Sequence, residues 1–203
     1  MKFIDLSVLL TSDTPVYPGD SSVEITRQAI LATDGYTQHD IKLSTHVGTH
    51  IDAPLHMVEG GQTLESFSVG NTIGPGIVFD VREGWNTDLI LRHTLKPASI
   101  VLFYTGWISK YSQPGYYEQY EALPEAIARW LIKQKAHAVG FDMSGPDYPP
   151  FAIHKLLLGN GILIIENLTN LGQLPEDGFR VIGLPLRVDL DGSPIRVIAE
   201  LPS

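Results

Sequence analysis

The chain has no cysteine in 203 residues. That removes a thiol nucleophile, a disulfide framework and any thiolate-bound metal, so a metal here must be held by His, Asp and Glu. Basic charge is also scarce, with 14 Lys and Arg against 23 Asp and Glu and a net charge of −9. Nucleic acid and anionic membrane surfaces both need a basic face, so neither is expected as a partner. No apolar run approaches the roughly 18 residues of a membrane span. The opening Met1-Lys-Phe-Ile-Asp5 places charge where a signal peptide needs apolar residues. The expectation is a cytoplasmic protein with a small-molecule partner.

What is present is the composition of an ordinary globule, 43% hydrophobic and 18% charged, which leaves no case for disorder. At this length one domain spanning residues 1–203 is expected. Short β-rich runs alternate with a few helical segments. Ile4–Leu10, Val23–Arg27 and Gln38–Ser44 read as strands, as do Gly76–Val81, Ser99–Tyr104, Ala138–Asp142, Ile162–Ile165, Arg180–Leu184 and Ile195–Leu201. Helices are expected at Asp88–Leu95, at Pro124–Lys133 and at Phe151–Leu158, the last capped by Gly159. Tyr111–Tyr120 reads as a polar, aromatic loop. The sum is a mixed α/β domain with more strand than helix.

Three of the seven His fall between His46 and His56, with Asp52 among them. His46, His50, Asp52 and His56 are all at even positions, so an extended chain would point them to one side. Extension alone would leave His46 and His50 about 13 Å apart, near the limit for sharing one ion. A helix would bring them together, but Gly48, the β-branched neighbours and Pro54 oppose one. A strand bent at Gly48 satisfies both constraints, and Pro54 keeps Ala53 extended. A lone His is an ordinary core residue. Three with a carboxylate on one face are costly to bury unless a cation pairs with them, so the stretch reads as a metal site.

The metalloprotease helix His-Glu-x-x-His does not fit, because Val47 stands where its Glu must be. The facial triad of non-haem Fe(II) oxygenases would be met by His50, Asp52 and the distant His154, leaving His46 and His56 without a role. A non-catalytic metal or small-ligand binding protein is the other alternative.

His46-x-Gly48-Thr49-His50-x-Asp52-x-Pro54-x-His56 resembles the signature of the metal-dependent cyclase family, which includes kynurenine formamidases (arylformamidases) and isatin hydrolases. Pro15-Val-Tyr17-Pro18-Gly19-Asp20 resembles that family's N-terminal segment, and His154 with Glu166 resembles its distal ligand pair. Pro185-Leu186 and Gly192-Ser-Pro194-Ile-Arg196 resemble its closing segment. The resemblance implies a strand-rich α/β domain of the swivelling β/β/α type that assembles as a homodimer. It implies His46, His50 and Asp52 as ligands of one metal, with Asp52 bridging to a second ion held by His154 and Glu166. It gives His56 as catalytic acid/base and Tyr17 as an aromatic substrate contact, which is Trp in the typical kynurenine formamidase. The implied activity is metal-dependent hydrolysis of a C–N bond in a small amide, formamide or cyclic amide. Zn(2+) or Mn(2+), one or two per subunit, suits such ligands. Phe67 and Trp107 are further candidates to stack on an aromatic substrate. His39, His93 and His137 have the ordinary structural reading.

Overall fold

In the computed structural model, which describes residues 1–202, the chain runs through ten strands and four α-helices. In order they are β1 (Lys2–Asp5), β2 (Glu24–Ala29), α1 (Leu31–Asp34), β3 (Gln38–Lys42), β4 (His50–Asp52), β5 (Ile73–Asp80), α2 (Thr87–Ile90), β6 (Ile100–Tyr104), α3 (Glu125–Gln134), β7 (Ala138–Phe141), α4 (Ala152–Leu158), β8 (Leu163–Glu166), β9 (Phe179–Pro185) and β10 (Gly192–Leu201). Strands β10, β4, β8, β7, β6, β5 and β9 neighbour one another in that order, and β9 pairs back onto β10. The sheet therefore closes into a seven-stranded barrel. Both β4 and β1 pair with β10, at Gly192–Pro194 and Ile198–Leu201 respectively, so they share one barrel position end to end. β2 and β3 form a separate two-stranded ribbon.

Alternation along the strands sorts the side chains into two cores. Ile100, Leu102, Leu163, Ile165, Ile51, Val197 and Ala199 point into the barrel. Val101, Phe103, Val139, Phe141 and Ile164 point outward, where α3 and α4 cover them with Ile127, Leu131, Leu157 and Leu158. The β5–β8 strands are parallel and covered on both faces, which is why they read as continuous apolar runs rather than alternating ones. This mixed, strand-rich α/β architecture is the fold class expected from the sequence. No helix among the described residues is long and apolar enough to cross a membrane.

Several local expectations shift. The first strand stops at Asp5 rather than Leu10, and Ser7 keeps only an isolated bridge to Leu168. The Asp88–Leu95 helix shrinks to Thr87–Ile90, capped by the Asn86 side chain, which accepts from the Leu89 amide at 3.2 Å. Gly159 is not a left-handed cap, because its φ is −64°. Glycine is needed there because a Cβ would lie 2.7 Å from the Lys155 carbonyl; the left-handed residue is Gly161. The Tyr111–Tyr120 segment is a loop, yet Tyr116 and Tyr120 are buried.

Phe141 is fully buried and stacked on Phe103 at 5.7 Å between centroids, where barrel and helices meet. Phe141→Ala is expected to cost about 3–5 kcal/mol. Urea unfolding checks this as a lower midpoint at an unchanged slope.

Candidate metal centre

The site is on the outer wall of the barrel, beside α4. In β4, Ile51 points inward, so His50 and Asp52 point outward. In β8, Leu163 and Ile165 point inward and Glu166 outward. The antiparallel register sets His50 directly opposite Glu166, and Gly192 of β10 opposite Asp52. Gly48 has φ 64° and supplies the anticipated bend, although it lies in the loop before β4 and not within a strand. It folds the loop back so that the His46 and His50 rings are 5.2 Å apart and nearly perpendicular. Ala53 is extended ahead of Pro54, which opens the short 3-10 turn carrying His56.

Buried hydrogen bonds fix the ring orientations. The Gly48 carbonyl accepts from His50 Nδ1 at 3.0 Å and from Asn167 Nδ2 at 2.9 Å. His50 Nε2 is thereby turned to Asp52 Oδ1 at 3.4 Å and Glu166 Oε2 at 3.2 Å. His154, on the buried face of α4, donates from Nδ1 to Asp147, which also accepts the Ile153 amide at 2.6 Å. The His154 Nε2 faces Glu166 Oε1 at 3.1 Å. Glu166 therefore spans His50 and His154. Gly145 makes room for this, since a Cβ there would fall 2.8 Å from Glu166 Oε1.

His46 is 2.8 Å from Asp52 Oδ1 through Nδ1 and 2.7 Å from Asp191 Oδ2 through Nε2. The His56 ring lies on it at 3.8 Å, with Nδ1 3.7 Å from Asp191 Oδ2. Asp52 is fully buried, and its Oδ2 has no hydrogen-bond partner.

Electrostatics follow from this crowding. Burial pushes the Asp52 carboxyl up, but the His46 hydrogen bond and the charges of His50, His46 and His56 hold it well below the usual range. Burial pulls His46 down, and the carboxylates of Asp52 and Asp191 outweigh it, raising the ring to about 9. His154 is likewise opposed by burial and raised by Asp147 and Glu166 to about 10. His56 is lowered, with burial the largest cause.

Of the seven residues expected at the site, His46, His50, His56, His154 and Glu166 thus gather around Asp52, and Tyr17 stands at the wall. Ligand atoms converge within 4.8 Å in two triplets, His46–Asp52–His56 and His50–Asp52–Glu166. The β4–β8 register draws His50 to Glu166, and Asp191 draws His46 the other way. His154 is in neither triplet, and its Nε2 reaches the cluster through Glu166. The donors are imidazole nitrogens and carboxylate oxygens, a set that suits a divalent ion. The orphaned, buried Asp52 Oδ2 is a polar atom that such an ion would satisfy.

A cavity of about 400 Å³ opens over the cluster, walled by Tyr17, Tyr117, Tyr120, Tyr148 and Phe151. Tyr17, 39% exposed, meets Tyr117 edge-on at 5.6 Å. Phe67 and Trp107 do not line it: Phe67 packs on the barrel core, and the Trp107 indole donates to the Tyr116 carbonyl at 2.8 Å. His39 is exposed on β3, while His93 and His137 bond to the Leu89 and Gly70 carbonyls. Asp147, in the loop between β7 and α4, and Asp191, in the turn between β9 and β10, were not among the residues expected at the site. Nothing in their local sequence separates them from ordinary turn aspartates.

The chain matches the Cyclase family model over residues 4–148. It is 35% identical to an uncharacterised protein of Methanocaldococcus jannaschii, over 99% of this chain and 100% of that one. It is 30% identical to a kynurenine formamidase of Salinibacter ruber, over 98% of this chain and 97% of that one. Among solved structures it resembles an isatin hydrolase bound to the product analogue thioisatinate, with a TM-score of 0.87 and 25% identity over 100% of this chain and 93% of that one.

The raised His pKa values carry a sign. Folding binds protons more tightly at His46 and His154, so their contribution is complete below the ordinary value of 6.5 and is lost as pH rises through about 9 to 10. A ligating imidazole must give up a proton, so metal binding competes with those protons. Calorimetric titration of the chelator-stripped protein with Zn(2+) in two buffers of different ionisation enthalpy is expected to show net proton release at pH 7. Apparent affinity should rise from pH 6 to 9. A heat independent of buffer would contradict the assignment.

Proposed function

The chain belongs to the cyclase family, and from that premise we propose that it is a metal-dependent hydrolase that cleaves a C–N bond in a small amide, formamide or cyclic amide. Relatives named kynurenine formamidase and isatin hydrolase support this reading. The observation that carries it is the buried, unpartnered Asp52 Oδ2 inside a cluster of four imidazoles and Glu166. His46, His50 and Asp52 would hold one ion, and His154 and Glu166, together with Asp52, would hold a second. Zinc or manganese suits these donors. A divalent ion held by these residues would supply water with a pKa lowered to about 7 and a Lewis acid for the carbonyl.

The remaining chemistry belongs to the chain. Hydrolysis adds the elements of water across the carbonyl carbon and the nitrogen, and the departing nitrogen needs a proton. His56 supplies it. Its side chain is 25% exposed, and its Nδ1 stands 3.7 Å from Asp191 Oδ2, beyond hydrogen-bond distance. Its Nδ1 is the nitrogen near Asp191, which leaves Nε2 to exchange protons. The lowered pKa of this ring keeps it neutral at pH 7, ready to take a proton from water and pass it on. Tyr17 and Tyr117 wall the cavity that receives the organic part of the substrate.

Elemental analysis of the purified protein together with a turnover screen of formamides and cyclic amides tests the reading. One or two divalent ions per chain, hydrolysis of at least one such amide and no oxygen consumption are expected. A metal-loaded protein that turns over no member of the screen would leave only binding. His56→Ala is expected to keep its metal and lose about 100- to 10,000-fold in kcat; loss of metal with it would make His56 a ligand. Glu166→Gln is expected to lower the metal count, and an unchanged count would remove Glu166 from the site.

A further inference from the structure

We propose that Asp191 is a positioning residue, which aims His46 at the metal by accepting the proton on its Nε2. The inference rests on the reading of His46 and Asp52 as metal ligands. His46 lies in the loop between β3 and β4, outside any strand or helix, so no backbone ladder fixes its ring. Two contacts do. Asp191 Oδ2 accepts from Nε2 at 2.7 Å, and Nδ1 is then left facing Asp52 Oδ1 at 2.8 Å.

Asp191 is itself held rigidly relative to Asp52. The Asp191 backbone carbonyl accepts the Ala53 amide at 2.8 Å, and the next residue, Gly192, pairs directly with Asp52. Its Oδ1 accepts from the Thr45 hydroxyl at 3.3 Å, beside His46 in sequence. The β4–β10 register thus sets the distance between the carboxylate that aims the ring and the carboxylate that shares its target. Gly192 completes the arrangement, because a Cβ there would lie 2.8 Å from His46 Cε1. A carboxylate that accepts the far N–H of a ligating imidazole fixes its tautomer and raises its basicity. His56, 3.7 Å from the same oxygen and stacked on His46, is kept in place by the ring that Asp191 holds.

The test uses the full chain stripped of metal and titrated with Zn(2+) alone against a competing chromophoric chelator. Asp191→Ala is expected to lower zinc affinity about 10- to 100-fold. Asp191→Asn, whose amide oxygen can still accept from Nε2, is expected to regain most of that loss. In the metal-free protein, ¹H–¹⁵N spectra should show a slowly exchanging His46 Nε2–H, identified by its absence in His46→Gln. That resonance should persist in Asp191→Asn and vanish in Asp191→Ala. Zinc affinity within twofold of wild type in Asp191→Ala overturns the proposal. Equal losses in the Ala and Asn variants also overturn it, because charge alone would then account for the effect. Absence of the resonance from the wild type overturns it with no variant needed. A wild-type protein that binds no zinc, manganese or other divalent ion sinks the proposed function instead, and the resonance still decides the role of Asp191.

Discussion

A carboxylate with no access to water dominates this structure. Asp52 is 0% exposed, and an isolated buried carboxylate costs several kcal/mol. The protein offsets that cost with imidazoles rather than with Lys or Arg, and each imidazole depends on a separate backbone device. Gly48 turns the chain so that His46 and His50 meet. The β4–β8 register brings Glu166 opposite His50. A missing Cβ at Gly192 lets the His46 ring lie over β10. Altering any one of these leaves the carboxylate buried and less well paired, so the local geometry follows from the burial of a single charge.

The barrel makes that arrangement rigid. Because strand side chains alternate, a slip of one residue in β4 would drive His50 and Asp52 among Ile100, Leu102 and Ile165 and turn Ile51 out. Closure of seven strands blocks such a slip, since β4 is held on both sides, by β8 and by β10. The helical layer then adds the last imidazole. α4 buries Ile153, Leu157 and Leu158 against the barrel wall, and helical spacing places His154 on the same face. The apolar packing that fixes the helix therefore also fixes the ring.

Much of this was legible in the chain before the fold was known. The even spacing from His46 to His56, with glycine at 48 and proline at 54, pointed to a bend at Gly48 beside a strand that presents His50 and Asp52 on one side. Apolar runs at Ser99–Tyr104 and Ile162–Ile165 identified buried strands. The pairing of His50 with Glu166 was not legible, because it depends on which residue of β8 faces β4, and register between distant strands leaves no local mark. Asp191 and Asp147 were hidden for the same reason. Each is a turn aspartate by sequence and becomes a ring anchor only when β10 meets β4, or when the 144–150 loop closes over α4. Trp107 and Phe67 show the opposite failure, since an aromatic in a loop looks like a pocket wall until the core claims it.

The four imidazoles also differ among themselves in a way that bears on chemistry. In His46, His50 and His154 one nitrogen is tethered, to Asp191, to the Gly48 carbonyl and to Asp147, and the other faces Asp52 or Glu166. A ring held by one nitrogen points the other in a fixed direction, and once that nitrogen gives up its proton it can ligate a metal there. His56 has no such tether. It is held by stacking on His46 and by a carboxylate 3.7 Å away, too far for a hydrogen bond. A ring that must gain and lose a proton in each cycle cannot have both nitrogens committed. The pattern of tethers therefore separates three rings held in a fixed direction from one that no hydrogen bond holds, the difference that the proposed roles require.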